Sequence, residues 1–234
     1  MPKNVINLTP EKEHSLYMLG RYAEKVYLQI HNLCRCQELL DAGKPQEYAS
    51  YYEMIGSSIK YHDKAEARAG LMYDSRNTES VITSVVKANE YAKDLEDELV
   101  SYNKYYLAKT LELVSNNANI GKDPQMEDLQ QTADLALAFW GSIDERIYDQ
   151  ELRSLLFVGK IVEHIVMSIK LQYKYYRIEE AFSRLEWIAA RLPKLFDARV
   201  LKELSILLSE PQYCPKVESY RNLVADMFDK LIKA

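Results

Sequence analysis

The chain is short of the residues that break helices: 234 residues hold only 7 glycines and 7 prolines. That scarcity disfavours a fold made of many short strands and turns. Three cysteines in a chain of this size exclude a disulfide framework and point to a reducing compartment, so the cytoplasm is expected. No run approaches the ~20 uninterrupted apolar residues of a membrane span. The stretch from Met1 to Leu8 has neither a basic segment nor an apolar one, so no signal peptide is expected and no membrane partner is implied. The net charge is −5 with acids and bases interspersed, which leaves no basic face for nucleic acid. Phosphate loops, dinucleotide fingerprints and nucleophile elbows are all missing. The sequence therefore implies no cofactor.

What is present is helical periodicity. Thr9-Pro10-Glu11 reads as a cap, a proline at the first helical position and an acid in the first turn. Leu16, Leu19, Ala23, Val26, Ile30 and Leu33 follow at steps of three and four, predicting an amphipathic helix to about Asp41. A second helical stretch is expected over 46–69, interrupted near Gly56. A third, long helix is expected to follow a turn at 74–80, capped by Asn77 or Thr78, and to run towards Val114. A loop is expected at 116–124. A fourth helix is expected over 126–140 and a fifth from about Asp144. Further helices are expected over about 179–192, 197–208 and 216–233, separated by Pro193, Pro211 and Pro215. The expected fold is all-α: one bundle of seven or eight helices, forming a single domain over 1–234, with helices one and five as an internal pseudo-repeat.

That pseudo-repeat rests on a phrase that occurs twice. Leu19-Gly20-Arg21-Tyr22-Ala23-Glu24-Lys25 returns as Val158-Gly159-Lys160-Ile161-Val162-Glu163-His164. Position 20 answers to 159 and position 24 to 163, with one constant offset. Gly159 and Glu163 fall in the apolar arc of their helix, whereas Glu24 falls at the edge of its own. A buried carboxylate needs partners. Arg21 and Lys160 stand three residues before the glutamates, within reach along the same helix. The glycines would let another helix approach closely. Two readings remain open: structural ion pairs between two packed helices, or one polar pocket that binds a substrate, an ion or a partner's tail.

Metal ligation finds less support. Glu11-x-x-His14 matches half of a di-iron bundle motif, but only one such pair occurs, at a helix start where glutamate is expected anyway. His31, Cys34 and Cys36 spread around a helix rather than along one face, so zinc is not expected. The metal expectation is none.

These phrases resemble the alpha-E family, bacterial helical proteins named for a glutamate–arginine motif. Tyr73-Asp74-Ser75-Arg76-Asn77, with Ser80 and Ser84, is similar to the family's Phe-Asp-x-x-Asn turn. Leu207-Leu208-Ser209-Glu210-Pro211-Gln212-Tyr213-Cys214-Pro215 is similar to its late proline corner. The arginine after each glutamate is replaced, by Lys25 and by His164, and basic positions around Asn89 and Tyr91 look altered. The resemblance thus implies a shortened, divergent member. It also implies a context: a protein partner such as an ATP-grasp-type peptide ligase or a transglutaminase-like protease, with a peptide as possible substrate. The leading expectation is a non-catalytic helical partner. The alternatives are an enzyme using Glu24 and Glu163 for acid–base chemistry on a peptide or amide, and a di-metal bundle. The candidate pocket comprises Gly20, Arg21, Glu24, Lys25, Gly159, Lys160, Glu163, His164, Asp74 and Asn77.

Overall fold

The computed structural model describes residues 8–44, 46–55, 59–96 and 98–233. Ten α-helices form among them, and no strand; one isolated antiparallel bridge ties Phe196 to Ile232. Among the described residues no helix is long and apolar enough to cross a membrane.

Helix α1 spans Pro10–Asp41, and the Thr9 side chain accepts from the Lys12 amide at 3.4 Å. Its six stripe residues are all buried, none more than 3% exposed. The second expected stretch yields α2 (Glu47–Ile55) and α3 (Lys64–Tyr73). The interruption expected at Gly56 lies outside the described residues.

The third expected helix is two: α4 (Val81–Asp94) and α5 (Ser101–Asn119). Its cap is Ser80 rather than Asn77 or Thr78, with the Ser80 hydroxyl accepting from the Thr83 amide at 3.3 Å. Neither glycine nor proline marks the break at 95–100. The marker is charge: Asp94, Glu96 and Glu98 crowd a helix C-terminus, where the macrodipole repels acids. Leu95 and Leu99 stay buried as the chain turns, and Glu98 pairs with Lys12 of α1. Helix α5 also runs through Asn116 and Asn117, so the expected loop shortens to its second half.

Helix α6 (Met126–Arg146) extends past Trp140, and α7 (Gln150–Lys170) starts later than expected, because Asp149 accepts from the Glu151 and Leu152 amides at 2.9 and 3.0 Å. The remaining helices are α8 (Tyr175–Arg191), α9 (Ala198–Leu207) and α10 (Glu218–Phe228). The two splits make the second phrase's helix the seventh, not the fifth.

Helix α1 is the central rod. It packs most extensively on α7, then on α4 and α6, while α7 carries α8. Leu16, Leu19 and Ala23 join a core with α7 to α10; Val26, Ile30, Leu33 and Cys36 join another with α2, α3 and the starts of α4 and α6. Each fully buried aliphatic side chain contributes roughly 1.5–3 kcal/mol.

Candidate functional site

The two phrases meet. A Cβ built on Gly20 would collide with the Leu156 carbonyl oxygen, with the Leu156 carbonyl carbon at 3.0 Å and the Gly159 Cα at 3.2 Å. A Cβ on Gly159 would collide with the Tyr17 carbonyl oxygen and stand 2.8 Å from the Arg21 nitrogen. Every obstacle is backbone, which cannot swing aside, so α1 and α7 can cross this closely only through glycine. The contacts are reciprocal: Tyr17 precedes Gly20 by the same three residues that separate Leu156 from Gly159.

The basic residues follow the same reciprocity and correct the expectation of pairing along one helix. Arg21 of α1 reaches Glu163 of α7, Nε to Oε2 at 3.1 Å. Lys160 of α7 faces Glu24 of α1, Nζ to Oε2 at 3.9 Å. A pair along one helix is solvent-facing; here the glycines bring the helices so close that the shorter path runs across the interface.

The two pairs differ in quality. Arg21 also pairs with Asp229, just past α10, and sits 5.8 Å from the Tyr17 ring centre. The Tyr17 hydroxyl donates to the Phe228 carbonyl at 2.8 Å. Burial works against the Arg21 charge, but Glu163, Tyr17 and Asp229 outweigh it and hold the guanidinium's pKa above its ordinary value. Burial raises the Tyr17 hydroxyl as well. Glu163 is thus committed to a buried pair with Arg21, which the exposed Asp229 extends to the surface.

Glu24 is buried too, at 3% exposure, deeper than its place at the edge of the apolar arc suggested. Yet its Oε2 accepts no hydrogen bond, Lys160 is 3.9 Å away, and His164 Nδ1 stands 3.8 Å from Oε1. Lys160 lies over the Trp140 ring, 4.2 Å from its centre. Burial lowers the Lys160 pKa, with Glu24 opposing it.

Above Glu24 opens a groove of about 1230 Å³ between α7 and α8. Phe157, Lys160, Ile161 and His164 form one wall. Tyr176, Arg177, Glu180, Ala181, Arg184, Trp187 and Ile188 form the other. Its lining includes Glu24 but not Glu163, so the two carboxylates do not share one pocket. Nothing in the doubled phrase pointed to the α8 wall. A signal existed: Trp187 falls outside the buried stripe Ile178, Phe182, Leu185 and Ala189, and it is 58% exposed.

The other candidates gather elsewhere. Asp74 accepts from the Arg76 amide at 3.0 Å and from the Tyr61 hydroxyl at 3.2 Å. The buried Asn77 side chain accepts from the Glu79 amide at 3.0 Å, and the Asn77 carbonyl accepts from the Thr83 hydroxyl at 3.0 Å. This corner launches α4 and aims Glu79 at the helix pair, where it meets Lys25 at 3.1 Å and Lys170 at 3.6 Å. Asp74 and Asn77 are therefore not groove residues. They hold Glu79, which sequence reasoning missed although it stands two residues past Asn77. Asn89 donates to the carbonyls of Val85 and Leu107, joining α4 to α5, and Tyr91 stacks on Tyr22 at 5.8 Å. In the late corner the Tyr213 hydroxyl donates to the Tyr173 carbonyl at 2.6 Å.

Among the described residues no three His, Cys, Asp or Glu side chains are grouped to hold a metal ion. Glu11 and His14 lie exposed at the start of α1, His14 edge-on to Tyr91. His31 is exposed and stacks on Tyr27 whereas Cys36 is buried, so the two point to different surroundings.

No curated protein and no solved structure matches the chain. One family does, over residues 13–194, described as a predicted alpha-helical domain with a conserved ER motif. That span runs from the start of α1 to just past α8 and contains both glycine–glutamate phrases, the Asp74–Asn77 corner and the groove, and the chain belongs to the alpha-E family.

Proposed function

We propose that this protein is a non-catalytic helical partner in a peptide-ligase or peptide-modification system of the ATP-grasp type, binding the ligase or presenting a peptide to it. The alpha-E resemblance suggests the system. The observation that carries the role is the split between the repeated glutamates: Glu163 is spent on Arg21, while Glu24 is the one of the two that lines an open groove. Acid–base chemistry by a carboxylate pair needs both groups at one reacting centre. A buried acceptor at one side of an aromatic-walled groove, with Glu180 exposed and paired to Arg184, suits holding a chain segment. The constant offset and the reciprocal contacts at the crossing support reading the two phrases as an internal repeat. Cys34, Cys36 and Cys214 form no disulfide, which suits a cytoplasmic setting.

The test is a pull-down at native expression, read by mass spectrometry. The expected result is recovery of an ATP-grasp-type ligase or a transglutaminase-like protease, reduced by Trp187→Ala in the groove wall. Recovery of neither overturns the proposal. So does a Glu163→Gln variant that folds and binds its partner yet abolishes turnover in the reconstituted system, because that result makes the protein an enzyme.

A further inference from the structure

We infer that the α7–α8 groove takes the free amino terminus of an acidic peptide, its ammonium on Glu24 and its acidic side chains on Arg177 and Arg184. This deepens the peptide-presenting reading and rests on it. The starting point is the Glu24 Oε2 atom, buried without a hydrogen-bond donor. Buried carboxylate oxygens are nearly always satisfied, so an orphan on a side chain that lines a groove calls for a donor from the occupant. The neighbouring cations do not supply it. Lys160 rests on the Trp140 ring at 4.2 Å, and His164 stands 3.8 Å from the other oxygen.

An ammonium fits better than a metal ion. Calcium needs six to eight oxygens and magnesium a near-ideal octahedron, whereas the other carboxylate of the groove, Glu180, is 67% exposed and paired with Arg184. An α-ammonium carries three N–H donors and needs only one strong acceptor in a partly dry site.

The rim carries the opposite sign. Arg177 and Arg184 are exposed on α8, two turns apart. Among the described residues Arg184 is tied to Glu180 alone, at 3.2 Å on the same exposed face, and Arg177 donates to the Tyr176 hydroxyl at 3.4 Å and lies 4.9 Å from the Tyr173 ring centre, ties weak enough to redirect. Seven residues of helix rise about 10 Å, close to the ~9 Å covered by three residues of a polyproline II peptide, in which positions three apart share a face. Acidic residues three positions apart therefore match the two guanidiniums, while Tyr176 and Trp187 flank them in the groove wall, Trp187 with Arg191 stacked on its ring at 3.3 Å.

The probe is a synthetic peptide with a free amine and glutamates at its second and fifth positions, compared with its N-acetylated twin and an all-alanine version. Calorimetry measures affinity. The chain's two tryptophans, Trp140 and Trp187, stand beside Lys160 and in the groove wall, so intrinsic fluorescence reports occupancy. The free-amine peptide should bind, and acetylation should weaken it about tenfold or more. Glu24→Gln should weaken the free amine equally and leave the acetylated twin unchanged. Affinity should fall as pH rises through the α-amine's pKa near ~8. Arg177→Ala with Arg184→Ala should erase the preference for glutamate over alanine. Equal binding of the free and acetylated peptides overturns the inference, as does no binding by either. Should Glu24→Gln fail to fold, acetylation and pH decide alone. The two readings fail separately. Loss of amine selectivity with a ligase still recovered in the pull-down removes the ammonium site only. Amine selectivity without a peptide-modifying partner removes the presenting role only.

Discussion

The two sides of the Gly20–Gly159 crossing start from almost the same sequence and end in different chemistry. On one side Arg21 meets Glu163 at 3.1 Å and adds Asp229 and the Tyr17 ring. On the other, Lys160 stands 3.9 Å from Glu24 and leaves one oxygen unbonded. Part of the difference is the side chain. A guanidinium reaches two carboxylates at once with a rigid fork; an ammonium on a flexible stem holds one partner and can rest on an indole instead. The rest is surroundings. The first side is closed by the end of α10, the second opens on the groove against α8. A motif can thus be doubled in sequence and divided in labour, one copy holding the fold and the other left available.

The largest expected effect removes the crossing itself. Gly20→Val or Gly159→Val should cost about 3 kcal/mol or more, because backbone atoms block the added carbons. Gly141→Ala is the control: it meets nothing within 4 Å and should be neutral, or stabilising by up to about 1 kcal/mol. Urea titration measures both. Equal stability of the two kinds of variant would break the comparison at its root.

Next come the glutamates. Glu163→Leu should cost about 3 kcal/mol, since it leaves a buried guanidinium with only the exposed Asp229 for a partner. Glu24→Leu should cost about 1 kcal/mol, because Lys160 is 31% exposed and can turn to groove water. Equal costs in thermal unfolding would show that the two pairs are equivalent after all.

Alkaline stability should sharpen the same contrast. The Lys160 pKa lies below its ordinary 10.5 in the folded protein, so the unfolded chain binds more proton between the two values and stability rises with pH across that window. Lys160→Gln should flatten this rise, whereas Glu180→Gln should not. Burial raises Tyr17 in the opposite sense, which lowers stability once pH passes 10.0, so the measurement belongs below that point. An unchanged slope in Lys160→Gln would show that the ammonium carries no burial cost. The smallest effect is Arg184→Ala, within about 0.5 kcal/mol, because its pair with Glu180 is exposed at both ends.

Much of the fold was legible. Thr9, Pro10 and the three–four spacing mark α1 without ambiguity, and the apolar stripe named for α1 is the one buried. The break between α4 and α5 was not legible by glycine or proline, because an acid cluster and the burial of Leu95 and Leu99 make it. The site was legible by half. The doubled phrase identified the helices that cross and the residues at the crossing. It could not say that Arg21 and Lys160 reach across rather than along, since that depends on how closely two backbones approach.

Composition and periodicity alone determined that this chain is helical and which face of each long helix turns inward, because those follow from local backbone preferences and the removal of apolar surface from water. The glycine positions determined that two helices could touch. Tertiary structure alone decided what the touching does. The end of α10 encloses Arg21 with Glu163, while α8 stands off from Lys160 and leaves Glu24 at the floor of a groove. Whether a buried carboxylate has a partner depends on atoms that lie far away in the chain, and no local pattern records them.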